Sequence, residues 1–109
     1  MKPQARNGLY VDLEGIIEFA REGIVSKTVA KKAGNETSLF CMSTGQELST
    51  HTASFPAIIH VIKGKGQITL GKQSYEAKPN AWFYMPKGLP HSLHSTENLV
   101  FLLTLFKKQ

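Results

Sequence analysis

The chain has 109 residues, 41% of them hydrophobic and 19% charged, with a formal net charge of +5. That length suits one domain around a single core, and the composition excludes a disordered chain. The lone cysteine, Cys41, rules out an intrachain disulfide, and the longest apolar run, Leu99–Phe106, falls well short of the ~18 residues of a membrane span.

A polar leader, residues 1–22, comes first. It carries no apolar segment of the kind that marks secretion, which points to the cytoplasm. Within it, Leu13–Ala20 (LEGIIEFA) fits a short helical turn or an extended edge equally well. From Gly23 onward the pattern predicts strands over Ile24–Ala30, Thr37–Ser43, Leu48–Ala53, Ala57–Ile62, Gln67–Leu70, Ser74–Ala77, Trp82–Met85, His91–His94 and Leu99–Phe106. Glycine, proline and asparagine punctuate them, as at Ala33-Gly34-Asn35, Gly64-Lys65-Gly66, Pro79-Asn80 and Pro86-Lys87-Gly88. Short strands with turn signals at this frequency predict an all-β sandwich or barrel, residues 23–109, following the leader.

Several features lack a specific chemistry. Cys41 sits in Ser38–Met42, an apolar run where a free thiol acts as a small hydrophobe. The lysines are scattered over turns and strand ends, a solvated surface and not the dense stripe with stacking aromatics that nucleic acid needs. Gly64-Lys65-Gly66 is followed by no helix pattern, so it reads as a hairpin and not as a phosphate loop. No Ser-His-Asp set stands at a workable spacing.

Ala57–Ile62 and Leu99–Phe106 are apolar on both faces. A strand of an antiparallel barrel should show one wet face, so these two need a second cover. A homodimer packed through sheet faces supplies it; the leader folding over that face is the alternative.

Two glycine- or asparagine-led blocks, Gly45–Gly64 (GQELSTHTASFPAIIHVIKG) and Asn80–Ser95 (NAWFYMPKGLPHSLHS), each deliver a histidine beside a tight turn. Their spacing resembles the two motifs of the cupin superfamily, G-x5-H-x-H-x3-E-x6-G and G-x5-P-x-G-x2-H-x3-N. The first aligns without a gap on Gly45, His51, Ala53, Ala57 and Gly64; the second on Asn80, Pro86, Gly88, His91 and Ser95. With the flanking strands the likeness covers about Thr37 to Phe106, and the chain resembles a small, single-domain type-2 cupin of the RmlC-like kind. The resemblance implies a double-stranded β-helix, or jelly-roll barrel, and a metal held by three histidines and a glutamate.

The departures from that pattern carry the functional expectation. Ala53 replaces the second histidine and Ala57 the glutamate, leaving His51 and His91. Divalent first-row metals generally take three or four protein donors, so a resident metal is not favoured. Were one held (Fe, Mn, Ni, Cu or Zn), His51 and His91 would be its ligands. Strand alternation turns Ala57, Ile59 and Val61 inward with His51 and Ala53, and turns His60 outward; His91 and Leu93 point in and His94 out. The parity of Thr37–Ser43 leaves open whether Cys41 or Met42 reaches the interior, and the same holds for Tyr84 and Met85.

The expected function is therefore binding of a small organic molecule, an anionic one being compatible with the positive charge. The cavity would be formed by Ala53, Ala57, Ile59, Val61, Leu93, Phe101 and Leu103, with His51 and His91 as polar handles and the two alanines making room. The competing readings are a metal-dependent enzyme of dioxygenase or isomerase type that completes its coordination with substrate or water, and a non-catalytic interaction module.

Overall fold

A computed structural model describes residues 8–107. Among them nine strands pair antiparallel throughout: β1 (Ile24–Lys32), β2 (Asn35–Met42), β3 (Glu47–His51), β4 (Ala57–Lys63), β5 (Gly66–Leu70), β6 (Gln73–Ala77), β7 (Trp82–Met85), β8 (His91–Ser95) and β9 (Leu99–Phe106). They form a five-stranded sheet ordered β1-β2-β9-β4-β7 and a four-stranded sheet ordered β3-β8-β5-β6. Such a two-sheet, all-β arrangement is that of a jelly roll. No helix among the described residues is long and apolar enough to cross a membrane.

The core lies between the sheets and follows the two-residue side-chain period. Ala57, Ile59 and Val61 of β4 are buried, whereas Ile58, His60 and Ile62 turn to the other face and are only partly covered. Phe40 and Phe101, cross-strand partners on β2 and β9, stack with ring centroids 5.1 Å apart. Ile68 and Leu93, paired across β5 and β8, close the core from the opposite sheet.

The outer face of the five-stranded sheet has its own apolar cluster, built on fully buried Leu39, Cys41 and Val100. Its cover comes from the leader, where Ile16, Ile17 and Phe19 pack onto it together with Ile62 and Leu102. Asp12 caps the single helical turn Leu13–Ile16 by accepting from the Glu14 N–H. Ion pairs Glu14–Lys63 and Glu18–Lys27 tie the segment to β4 and β1. The second cover demanded by β4 and β9 is thus supplied within the chain over the part of their outer faces around Ile62, Val100 and Leu102. Cys41 belongs to this outer cluster and Met42 to the core between the sheets. Residues 1–7 of the expected leader lie outside the described residues.

Two backbone positions explain the motif residues that shape the turns. Gly64, with φ +89°, lies so close to the Asn98 carbonyl that any Cβ would collide with it; only glycine fits. Asn80, where the second motif has glycine, adopts φ 74°, a left-handed conformation that asparagine tolerates better than most residues.

Candidate ligand-binding site

His51 closes β3 and His91 opens β8, and the two are cross-strand partners. Their position depends on an irregularity. Leu48 pairs with Leu93 and His51 with His91, so β3 advances by three residues where β8 advances by two. The extra residue is a β-bulge, which re-aims the side chains beyond it. Without it, strict alternation would place Leu48 and Thr50 on one face and His51 on the other. With it, Leu48 and His51 face the same cavity, opposite Leu93 and His91.

The imidazole rings meet edge to face, with centroids 4.2 Å apart and planes at 63°. The Nδ1 of His51 lies 2.7 Å from the Ser49 carbonyl oxygen, and the Nδ1 of His91 lies 2.9 Å from that of Leu89. His91 is half-buried, and His51 is exposed at the rim. Behind them is a cavity of about 170 Å³ between the sheets. Its wall is almost wholly apolar, with Phe40, Leu48, Ile59, Ile68, Met85, Leu93, Phe101 and Leu103 around the histidines, and Ser92 beside His91. An apolar pocket with a few convergent polar groups is the usual form of a small-molecule site.

Of the residues expected to line the cavity, His51, His91, Ile59, Leu93, Phe101 and Leu103 do so, and Ala53, Ala57 and Val61 do not. Ala57 and Val61 are packed into the core, Ala57 between its strand partners Met85 and Leu105. Ala53 lies past the end of β3, and its carbonyl accepts from the Gly88 N–H at 3.0 Å. That bond joins the β3–β4 loop to the β7–β8 turn, so both histidine-bearing segments are held by one rim contact. The alanines therefore shape the frame and leave the cavity wall to larger side chains. Phe40, Leu48, Ile68, Met85 and Ser92 complete the wall. Met85 shares the inward parity of Phe83, and Tyr84 turns outward, 50% exposed. His60 and His94 lie on the faces away from the core, as alternation requires.

The donor set does not fit the four-ligand metal centre of the two motifs. Among the described residues no group of three or more His, Cys, Asp or Glu is placed to hold an ion. Two imidazoles without a carboxylate fall short of the usual coordination and leave the ion's charge unbalanced.

At the far end of β8, the position of the motif's asparagine is taken by Ser95, which is fully buried. Its hydroxyl donates to the Ser43 carbonyl at 2.6 Å and accepts from the Gln46 N–H at 2.9 Å. Its backbone accepts from Gly45 N–H and donates to the Gln46 carbonyl. Asn98 adds a further clasp, its Oδ1 accepting from the Thr44 N–H and hydroxyl. Ser95 and Asn98 together lock the β2–β3 turn and thereby fix the start of the strand that carries His51.

Known proteins share this architecture. The family model described as "Cupin domain" matches residues 38–105. An uncharacterized protein of Aquifex aeolicus is 28% identical over 98 residues, spanning 87% of this chain and 80% of its own length. The crystal structure of a conserved protein of unknown function from Streptococcus pyogenes superimposes with a TM-score of 0.82 at 23% identity, covering 99% of this chain and 92% of its own. A cupin superfamily protein from Desulfitobacterium hafniense gives a TM-score of 0.82 at 19% identity, covering 97% and 94%.

Proposed function

The chain belongs to the cupin family, and from that premise we propose that it binds a small organic molecule in the cavity between its sheets, oriented by His51 and His91. The observation that carries this reading is the pair itself: two imidazoles with centroids 4.2 Å apart at the mouth of an apolar space of about 170 Å³. An apolar cavity of that size holds a molecule on the scale of a single aromatic ring. The lone thiol, buried beneath the leader, suits a reducing cytoplasm. The test is a thermal-shift screen of small ring compounds on wild type and on the double variant His51→Ala/His91→Ala. Shifts seen in wild type and lost in the double variant support the reading; shifts unchanged by the double substitution refute it.

The donor count sets the rival apart. A metal-dependent enzyme would need substrate or water to fill most of the coordination sphere. We expect elemental analysis of protein purified without chelators to find far less than one transition-metal ion per chain, and EDTA to leave the thermal midpoint unchanged. Near-stoichiometric metal that disappears in His51→Ala would reverse the ranking.

Assembly is the second part of the proposal. The leader leaves one edge of the outer face uncovered, where Trp82 and Tyr84 are 58% and 50% exposed beside Ile58 and His60. These aromatics lie on β7, which among the described strands is an outer one paired with β4. Exposed aromatics on an outer strand favour a two-fold pairing with a second copy. Sedimentation should give a dimer for wild type and a monomer for Tyr84→Lys; a wild-type monomer at micromolar concentration rules the assembly out.

A further inference from the structure

We infer that the two histidines present hydrogen-bond acceptors to the cavity, so that its occupant is an apolar molecule bearing a hydroxyl or amine donor and not an anion. This deepens the ligand-binding reading above and rests on it. The backbone fixes the tautomer of each ring. A carbonyl oxygen can only accept, so the Nδ1 atoms at 2.7 Å from the Ser49 carbonyl and 2.9 Å from the Leu89 carbonyl must each carry the ring proton. In a neutral imidazole the other nitrogen is then a bare lone pair. Both rings are therefore fixed in the same tautomer by a carbonyl two residues earlier in the chain.

The local structure makes those carbonyls available. Ser49 lies within the bulge, between the paired residues Leu48 and His51, where the ladder is interrupted. Leu89 belongs to the turn that precedes β8. Among the described residues no side chain or backbone group bonds either Nε2. Among the described residues no Asp, Glu, Lys or Arg lines the cavity, and Ser92 is the remaining polar member of its wall.

Two lone pairs at the mouth of an apolar cavity discriminate among head groups. A hydroxyl or amine donates to Nε2 and keeps its hydrocarbon against Phe40, Ile68 and Phe101. An ether of the same shape has nothing to donate and leaves the lone pairs unpaired. A carboxylate meets them as like to like, and no cation in the wall compensates it. The lysines among the described residues lie outside the cavity wall, so the chain's +5 charge does not set ligand charge here.

The experiment uses the full chain, freed of metal by chelation, with phenol, anisole and benzoate as probes of matched body and different head. Calorimetry should rank phenol first, about tenfold tighter than anisole, the loss expected for one hydrogen bond to a partner otherwise unpaired; benzoate should bind no better than anisole. His51→Ala/His91→Ala should abolish the phenol preference. Benzoate as the tightest ligand, or equal binding of all three, overturns the head-group assignment and leaves the cavity reading standing. Binding by none of the three at millimolar concentration overturns the cavity reading itself, and this inference with it. Nitrogen-15 correlation spectra give a check without any ligand: both rings should show the proton on Nδ1, and a proton on Nε2 would refute the assignment.

Discussion

β8 has a polar side chain turned inward at each end, and the two ends are treated in opposite ways. At Ser95 the hydroxyl donates and accepts within the protein, and the neighbouring backbone groups of Gly45 and Gln46 are bonded as well. At His91, four residues earlier on the same face, one ring nitrogen is bonded to the backbone and the other to nothing in the described protein. A buried polar group with all its partners supplied holds a fold together. One left half-satisfied at the mouth of a cavity is available for chemistry. The contrast teaches that one strand of this chain is pinned by a fully bonded hydroxyl at one end and carries a half-bonded imidazole at the other.

Substitutions at the two ends should separate stability from binding. The largest effect is expected at the closed end from Gly64→Ala, whose Cβ would fall on the Asn98 carbonyl in a left-handed backbone conformation. Destabilisation of about 3 kcal/mol or more is expected, read as a fall in the denaturant midpoint or as failure to accumulate folded protein. Ser95→Ala comes next. It removes the hydroxyl bonds to the Ser43 carbonyl and the Gln46 N–H, leaving those two groups their longer 3.3 Å bond to each other, and should cost about 1 kcal/mol, measurable by urea unfolding, with ring-compound binding retained. His91→Ala should reverse the pattern, changing stability by roughly 1 kcal/mol or less while removing the thermal shift produced by phenol. A Ser95→Ala protein that is fully stable, or a His91→Ala protein that unfolds, would break the division.

The smallest effect concerns the leader. Hydrogen bonding and then charge from Lys27 hold the Glu18 carboxyl below its ordinary value. A carboxylate with a depressed folded pKa stabilises above its unfolded pKa, and loses that contribution as pH falls through the lowered value. Acidification from about pH 6 to about pH 3 should therefore lower the protection of the Leu13–Ala20 amides, measured relative to the intrinsic exchange rate at each pH, in wild type more than in Lys27→Ala. The pair is exposed, so the difference should be slight.

Much of the frame was legible in the sequence. The apolar runs and their glycine and proline breaks mark all nine strands to within a few residues, because each buried strand had to show its apolar face and each turn its special backbone. Alternation along β4 and β8 correctly turns His60 and His94 away from the core. The cavity wall was harder to read. β3 offers a single apolar residue, Leu48, among polar neighbours, so nothing in its pattern reveals the extra residue before His51. Ala57 and Val61 share the inward parity of Ile59, and only the depth of packing distinguishes core from cavity. Ile16, Ile17 and Phe19 did carry a visible signal for the leader as a cover. Their spacing fits a helical turn and an extended edge equally well, so the pattern did not decide between the leader and a second copy as the cover.

The bulge in β3 has a consequence for how sites of this kind are compared. Because an inserted residue aims His51, shortening β3 by one position between Leu48 and His51 would swing the imidazole toward solvent without altering any side chain the cavity uses. In this chain a single-codon deletion there would therefore displace His51 while leaving every residue of the cavity wall in the sequence. Residue spacing within that strand is as much a part of how the cavity mouth is built as the histidine it delivers.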